Sequence, residues 1–222
     1  MSGSSRSPVA WRPVRARVGE IHAMDPFRGA DAVVPAVWWC DPTDSAVVLG
    51  SRQADGIVDT ERCQRAGLSV VRRRSGGGAV LIIAGAVGWI DLVLPHGIAP
   101  DDVRGSMIWA GELIAEAAEM TGEVRVHRSA MVETPWSPWV CFAGLGPGEV
   151  VVDGLKSIGL SQRRTRHGVR IQAMWYRRAV AGEVVTYLTS GHPSGPLPEV
   201  GVAAMVDPHS LAIAVADLVS HS

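Results

Sequence analysis

Apolar residues in this chain fall into short runs broken by Gly, Pro and Asp, with only two stretches patterned as long helices. Ala36 to Cys40 (AVWWC) and Ala46 to Leu49 (AVVL) have the length and the bounding residues of buried strands. Ser69 to Arg73, Ala79 to Ile83 and Trp89 to Leu94 predict three more strands, the first two joined by Gly76-Gly77-Gly78. Gly56 to Ala66 sets Ile57, Val58 and Cys63 on one side ahead of Gly67, which predicts a short helix with a glycine C-cap. Asp101 is placed to cap a helix to about Thr121, because Val103, Met107, Ile108, Ile114 and Ala118 recur every three or four residues before Gly122 stops it. After a loop with Pro135 and Pro138, strands are predicted at Trp139 to Ala143, Glu149 to Val152, Leu155 to Gln162 and Val169 to Tyr176. Asp153-Gly154 between two β-branched runs is a hairpin signal, and it fixes Lys156 just beyond a tight turn. Asp207 and Pro208 read as the N-cap and first residue of a last helix through Val219. The pattern predicts an α+β fold: a mixed, mainly antiparallel sheet flanked by helices.

Composition narrows the class. With 222 residues, 47% apolar and 19% charged, the chain can bury a core without staples, and without a repeat period it is expected to form a single domain over residues 11–222 after a disordered lead of residues 1–10. A net charge of −1 gives no global field towards nucleic acid or an anionic membrane. Three cysteines (Cys40, Cys63, Cys141) without CxxC spacing argue against a disulfide framework or a zinc site. The N-terminus lacks the apolar run of a signal peptide, and the longest uncharged stretch, Ser75 to Ile90, is shorter than the ~20 residues that span a bilayer. A cytoplasmic location is the expectation. Among 21 basic residues only Lys156 is lysine, as if that position needs an ammonium.

Two segments carry candidate chemistry. In Val70 to Val80 (VVRRRSGGGAV), three arginines beside a glycine run offer a seat for a phosphate or carboxylate, while a plain glycine turn with solvated arginines explains the same residues. No Lys-Ser/Thr follows, as a P-loop requires, and no helix follows, as a dinucleotide fingerprint requires. In Cys141 to Arg166, a cysteine precedes a Gly/Pro loop and the single lysine lies fifteen residues on. Lys156 there can neutralise an anion or activate a thiol; a lone cysteine also serves as a small core residue, and a lone lysine as a surface charge. The seven histidines show no HxxxH or HxH spacing and give a catalytic metal little support. Arg163, Arg164 and Arg166 suit either an acidic partner or a solvated strand end. Trp38, Trp39, Trp89 and Trp175 are expected in the core, and Trp136 and Trp139 at the rim of a tunnel.

Three separated stretches, Val47 to Gln53 (VVLGSRQ), Arg72 to Val80 (RRxSGGGAV) and Asp153 to Arg166 (DGxKxxGxSQRRTR), together resemble the lipoate–protein ligase and octanoyltransferase family, relatives of biotin protein ligase. The resemblance runs over roughly Ala46 to Trp175. It implies a single biotin/lipoate-ligase-like catalytic domain, without the C-terminal accessory domain of long bacterial ligases, that attaches lipoyl or octanoyl to one lysine of a carrier domain. Such carriers are the glycine cleavage H protein and 2-oxoacid dehydrogenase subunits. The leading expectation is a ligase that works through an acyl-adenylate, using ATP and Mg²⁺ with lipoate or octanoate. Arg72, Arg73, Ser75, Gly76, Gly77, Gly78 and Ala79 would then hold the acyl-adenylate, Gly159 and Ser161 would fall in the stretch after the lysine, and Lys156 would match the essential lysine. As an ATP-independent octanoyltransferase it would pass the acyl group from acyl carrier protein through a thioester on Cys141. A third possibility is an acyl-binding member without chemistry. Three departures from the family pattern stand out: Leu81 to Gly88 (LIIAGAVG) replaces the polar HDxGNxN stretch, Gly159-Leu160-Ser161-Gln162 replaces GSAQ, and Ala173 replaces the His of QHG. An apolar wall at Leu81 to Ile83 would still suit an acyl chain.

Overall fold

Alternation along the strands divides the molecule into three apolar layers. In the computed structural model, which describes residues 9–28 and 34–221, the chain runs Ala10–Ala16 (β1), Val18–Ala23 (α1), Ala36–Pro42 (β2), Ala46–Leu49 (β3), Thr60–Arg65 (α2), Ser69–Arg72 (β4) and Val80–Ile82 (β5). It continues through Val87–Pro95 (β6), Val103–Ala117 (α3), Val124–Val126 (β7), Val150–Val152 (β8), Leu155–Thr165 (β9), Gly168–Tyr176 (β10) and Pro208–His221 (α4). Seven strands form one sheet in the order β1-β2-β6-β10-β9-β8-β7, and three form a second in the order β4-β3-β5. Only the β1–β2 and β3–β4 pairs are parallel, so the expected mixed, mainly antiparallel α+β architecture is what the chain adopts.

Successive side chains of a strand point to opposite faces, and β6 shows the result. Ile90, Leu92 and Leu94 pack under α3 and α4, whereas Val87, Trp89 and Val93 face the small sheet. From that sheet, Ala46, Val48, Val80 and Ile82 fill the space between the sheets. Val47, Leu49 and Leu81 face outwards onto Trp136, Val140 and Val184. Leu81 therefore belongs to the outer layer, and the apolar wall expected at Leu81 to Ile83 is carried on the inner side by Val80 and Ile82.

Several boundaries differ from the sequence pattern for physical reasons. The helix at α3 is capped by Asp102, whose carboxylate accepts from Gly105 N, one residue after Asp101, and it ends at Ala117. The strands around the glycine run do not pair with each other, because β3 lies between them. Trp139 to Ala143 is not a strand: Val140 N donates to Trp136 O, and a 3-10 helix follows at Cys141–Ala143. Its strand-like composition reflects burial rather than extension. Elements β1, α1, β7 and a 3-10 helix at Ala181–Tyr187 carry no clear local pattern, since β1 is polar at most positions and held by parallel pairing to a distant strand. Of the expected disordered lead, residues 1–8 lie outside the described residues, and Ala10 already opens β1. No helix among the described residues is long and apolar enough to cross a membrane.

One buried ion pair holds α1 against the sheets. Asp91 on β6 and Arg170 on β10 pair between the layers, Asp91 also accepts from Trp89 Nε1 at 2.8 Å, and Arg170 donates to the carbonyls of Ile21 (2.9 Å) and Met24 (2.7 Å). A charge that deep is tolerated because each partner is saturated, and the pair fixes where His22 of α1 stands.

Candidate active site between the two sheets

The glycine run owes its composition to close packing. A side chain on Gly78 would put its Cβ 2.6 Å from the Val140 carbonyl carbon and 2.7 Å from Cys141 N, and Gly77 has φ +99°, open to few residues other than glycine. Ala79 is buried, donates to Trp139 O at 2.7 Å and accepts from Cys141 N at 2.9 Å, which zips residues 77–79 alongside 139–141. Arg73, buried beside the loop, donates from Nε and Nη2 to Gly76 O (3.2 and 2.8 Å) and from Nη2 to Gly78 O (2.9 Å). In a trans peptide the N–H points opposite to the carbonyl. With the Gly76 carbonyl drawn to Arg73, the Gly77 amide faces the other way, and among the described residues no acceptor meets the Gly76, Gly77 or Gly78 amides.

Those three glycines line a chamber of about 310 Å³, together with Lys156, Glu149, Cys141 and Ser161. A narrower apolar slot of about 50 Å³ lies between the sheets, lined by Val48, Val80, Ile82, Trp89, Phe142 and Met174, with Arg73, Gly159 and His22. Cys141, Leu160 and Ser161 line both, so they mark where the slot opens into the chamber. The Cys141 thiol is half-buried and lies 3.2 Å from the Cβ position at Gly77. Ser75 on the loop and Ser161 on β9 meet through their hydroxyls at 3.1 Å, tying the two sheets together at the mouth. Gly159 leaves room for the Phe142 ring, which a Cβ there would meet at 2.9 Å.

Lys156 is held in the wall by a complete set of acceptors. Its ammonium donates to Cys141 O at 3.0 Å and Gly144 O at 2.8 Å, pairs with Glu149 Oε2 at 2.7 Å and sits 4.9 Å from the Phe142 ring centre. The side chains of Lys156 and Glu149 are 6% and 5% exposed, so this is a buried pair and not a surface charge. Glu149 is saturated as well, accepting from Gly146 N at 2.7 Å and Leu160 N at 3.2 Å. Three tetrahedral N–H bonds aimed at three acceptors explain why this one position keeps lysine in an arginine-rich chain. The ammonium thus fixes the turn that presents Cys141.

The structure brings together Arg73, Ser75, Gly76, Gly77, Gly78, Cys141, Lys156, Gly159 and Ser161; Ala79 lies just behind them. Arg72 stands apart. Its guanidinium donates to Gly50 O and Gln53 O at 2.7 Å each and pairs with Asp55, away from both cavities. Arg74 pairs with Asp25, which also takes Arg163. Arg164 is spent on Pro100 O and Ser106 Oγ. Trp136 is buried in the outer layer, donates to Gly195 O at 3.1 Å and, like Trp139, lines neither cavity. Glu149 and His22 escaped the sequence reading. Glu149 had a signal, an acid flanking the same hairpin turn as the lone lysine, with β8 and β9 in antiparallel register. His22 had none, because its helix has six residues and is placed by Arg170.

Cys141 thus lies where an apolar slot opens into a wider chamber, beside glycine amides that meet no acceptor among the described residues, within an α+β domain. A family model described as the lipoyl protein ligase A/B catalytic domain matches residues 28–176, and the chain belongs to that family. Solved structures agree on the fold. A T. acidophilum protein described as a lipoate protein ligase, solved with lipoic acid, superposes with TM-score 0.70 at 15% identity, covering 94% of this chain and 81% of that one. A lipoate-protein ligase A bound with ATP gives 0.69 at 13%, covering 94% and 83%. An archaeal bi-partite lipoate protein ligase from T. acidophilum, studied with its E2 lipoyl domain, gives 0.68 at 14%, covering 94% and 80%. No curated protein matches the chain significantly in sequence.

Proposed function

We propose that this protein transfers an octanoyl or lipoyl group to a lysine of a lipoyl-type carrier domain, holding it between donor and acceptor as a thioester on Cys141. The observation that carries this reading is the place of Cys141, where the slot opens into the chamber beside unpaired glycine amides. A chain in the slot gains about 0.8 kcal/mol per buried methylene, and its carbonyl end then meets the thiol. The donor is an acyl thioester on an acyl carrier protein. The Cys141 sulfur adds to the carbonyl carbon, the new C–S bond forms as the donor C–S bond breaks, and the donor sulfur leaves as a thiol carrying the proton that Cys141 gives up. The amine of the carrier lysine next adds to the Cys141 thioester. The negative charge then building on the carbonyl oxygen is met by the Gly77 amide, the kind of fixed donor that lowers such barriers most. The C–N bond forms, the C–S bond breaks, and the departing thiolate takes the proton released by the amine. Lys156 and Glu149 act as positioning residues for the Cys141 turn.

The acyl-adenylate route, which needs ATP and Mg²⁺, fits these residues less well. Arg72 and Arg74 are bound to Asp55 and Asp25, and Leu81 to Gly88 offers no polar side chain to a nucleotide.

The test is mass spectrometry of the protein mixed with octanoyl acyl carrier protein, then with an apo carrier such as the H protein or an E2 lipoyl domain. The expected result is a hydroxylamine-labile octanoyl adduct on Cys141, absent in Cys141→Ser, that moves to the carrier lysine. No adduct and no transfer would sink the proposal. Transfer seen only with free octanoate or lipoate, ATP and Mg²⁺ would replace it by the ligase route.

A further inference from the structure

One buried cation of the glycine loop has no counter-charge. The outer two of three successive arginines are neutralised, Arg72 by Asp55 and Arg74 by Asp25. Arg73 between them is 5% exposed; among the described residues its hydrogen bonds go to backbone carbonyls alone, and no carboxylate pairs with it. Taking a guanidinium out of water is costly unless a negative charge accompanies it. Arg73 Nη2 lies 2.8 Å, and Cys141 Sγ 3.2 Å, from one point, the Cβ position at Gly77. The two atoms are therefore within the roughly 6 Å over which an opposite charge favours an ionised side chain, and both residues line the slot. Their charged and titratable neighbours are committed or neutral. Lys156 pairs with Glu149 at 2.7 Å and brings the sulfur no net charge, and Asp91 is taken by Arg170. Burial, and after it Arg73, lowers the pKa of His22 to about 3 and leaves that ring neutral. Burial, and after it Cys141, pushes the Tyr176 hydroxyl up, and that hydroxyl donates to Leu81 O at 3.1 Å.

We infer that Arg73 is the counter-charge of the Cys141 thiolate: the cation that the fold leaves uncompensated becomes paired when the thiol ionises. The inference rests on the acyl-transfer reading and deepens it by naming the group that readies the sulfur. Labour at the site is then divided. Lys156 and Glu149 shape the turn that presents Cys141, and Arg73 supplies the charge. Arg73 acts through the sulfur, as a positioning residue. A guanidinium does not give up its proton in proteins, so Arg73 takes no part in proton transfer, and the proton shed by Cys141 still leaves on the donor sulfur.

The experiment is alkylation of the native protein by iodoacetamide, which consumes the thiolate, followed at the Cys141 peptide by mass spectrometry across a range of pH. The wild type is compared with Arg73→Met, which keeps an unbranched side chain without the charge, and with Arg73→Lys, which keeps the charge. At neutral pH Arg73→Met is expected to react on the order of ten-fold more slowly than the wild type, and Arg73→Lys to recover much of the loss. The three rates should converge at alkaline pH, where the thiol ionises unaided. A purely structural role for Arg73 would slow alkylation equally at every pH. That outcome, or an Arg73→Met rate equal to the wild type's at neutral pH, overturns the inference. Cooperative melting shows that the variants fold. If Arg73→Met does not fold, the wild type decides: anionic iodoacetate should gain on neutral iodoacetamide at Cys141, relative to the same two reagents on a free, uncharged cysteine derivative, and an equal ratio overturns the inference. Failure of octanoyl acyl carrier protein to acylate Cys141 would remove the transfer reading while alkylation still judges Arg73, so the two failures are told apart.

Discussion

Lys156 illustrates how much one buried ammonium can organise. Removing one member of a buried ion pair strands the other charge and costs about 3–5 kcal/mol, whereas removing both costs far less than the sum. Urea unfolding of Lys156→Ala, Glu149→Ala and the double variant is expected to show that non-additivity; additive losses would mean the 2.7 Å pair is not energetically coupled. Lys156→Arg keeps the charge but sends a wide planar fork into a site of three close acceptors. It is expected to lose most transfer activity and about 1–3 kcal/mol of stability through overpacking. His22 makes a prediction in pH. Its pKa, near 6.5 when unfolded and about 3 when folded, means the unfolded chain binds the extra proton between those values. Stability is therefore complete above about pH 6.5 and falls as the pH drops towards 3, by at most about 1.4 kcal/mol per unit. His22→Phe should flatten that acid limb in pH-dependent melting, and an unchanged slope would count against a buried neutral imidazole.

Elements differ in how far local residues determine them. The Asp153-Gly154 hairpin was legible because the turn chemistry is local: both residues take positive φ, 49° and 83°, as such a tight turn demands. The resemblance in three separated stretches pointed to Arg73, Gly76, Gly77, Gly78 and Lys156, which line neighbouring cavities, while Arg72 of the same stretch is turned to Gly50, Gln53 and Asp55. The segment around Cys141 was not, because apolar residues there read as a strand while their shape is set by the Trp136–Val140 turn and by the Lys156 ammonium. Helix α1 and strand β1 depend on Arg170 and on β2, far along the chain, and no window of sequence reports that. The zip between residues 77–79 and 139–141 sets the aim of the thiol, so Gly78→Ala should abolish thioester formation and cost about 1–3 kcal/mol. Gly56, with nothing within 4 Å of its Cβ position, is the control, and Gly56→Ala should stay within about 0.5 kcal/mol of wild type by the same denaturation and adduct assays.

At the scale of the whole molecule, the two sheets meet through a slot, so ligand occupancy and fold stability are linked. A chain acid at a hundred times its Kd should stabilise the protein by about 2.7 kcal/mol, read as a rise in melting temperature. The cysteines give a second readout. Cys40 and Cys63 are 2% and 0% exposed, and burial pushes both thiols up, whereas Cys141 stands half-buried at the mouth. Alkylation of the native protein should modify Cys141 alone, be slowed by a bound acyl acid, and reach all three cysteines only after denaturation. Native labelling of Cys40 would contradict the packing between the sheets. The contact between Val9 and Ser220 has a different kind of consequence. The Val9 amide donates to the Ser220 hydroxyl at 2.8 Å, so positions 211 residues apart in sequence sit side by side. A short peptide between them would turn the chain into a loop, and that loop can be reopened at the exposed Arg166-His167 turn between β9 and β10. Such a permuted chain would carry every residue of the site in a new genetic order, making the route by which the chain assembles separable from the architecture it reaches.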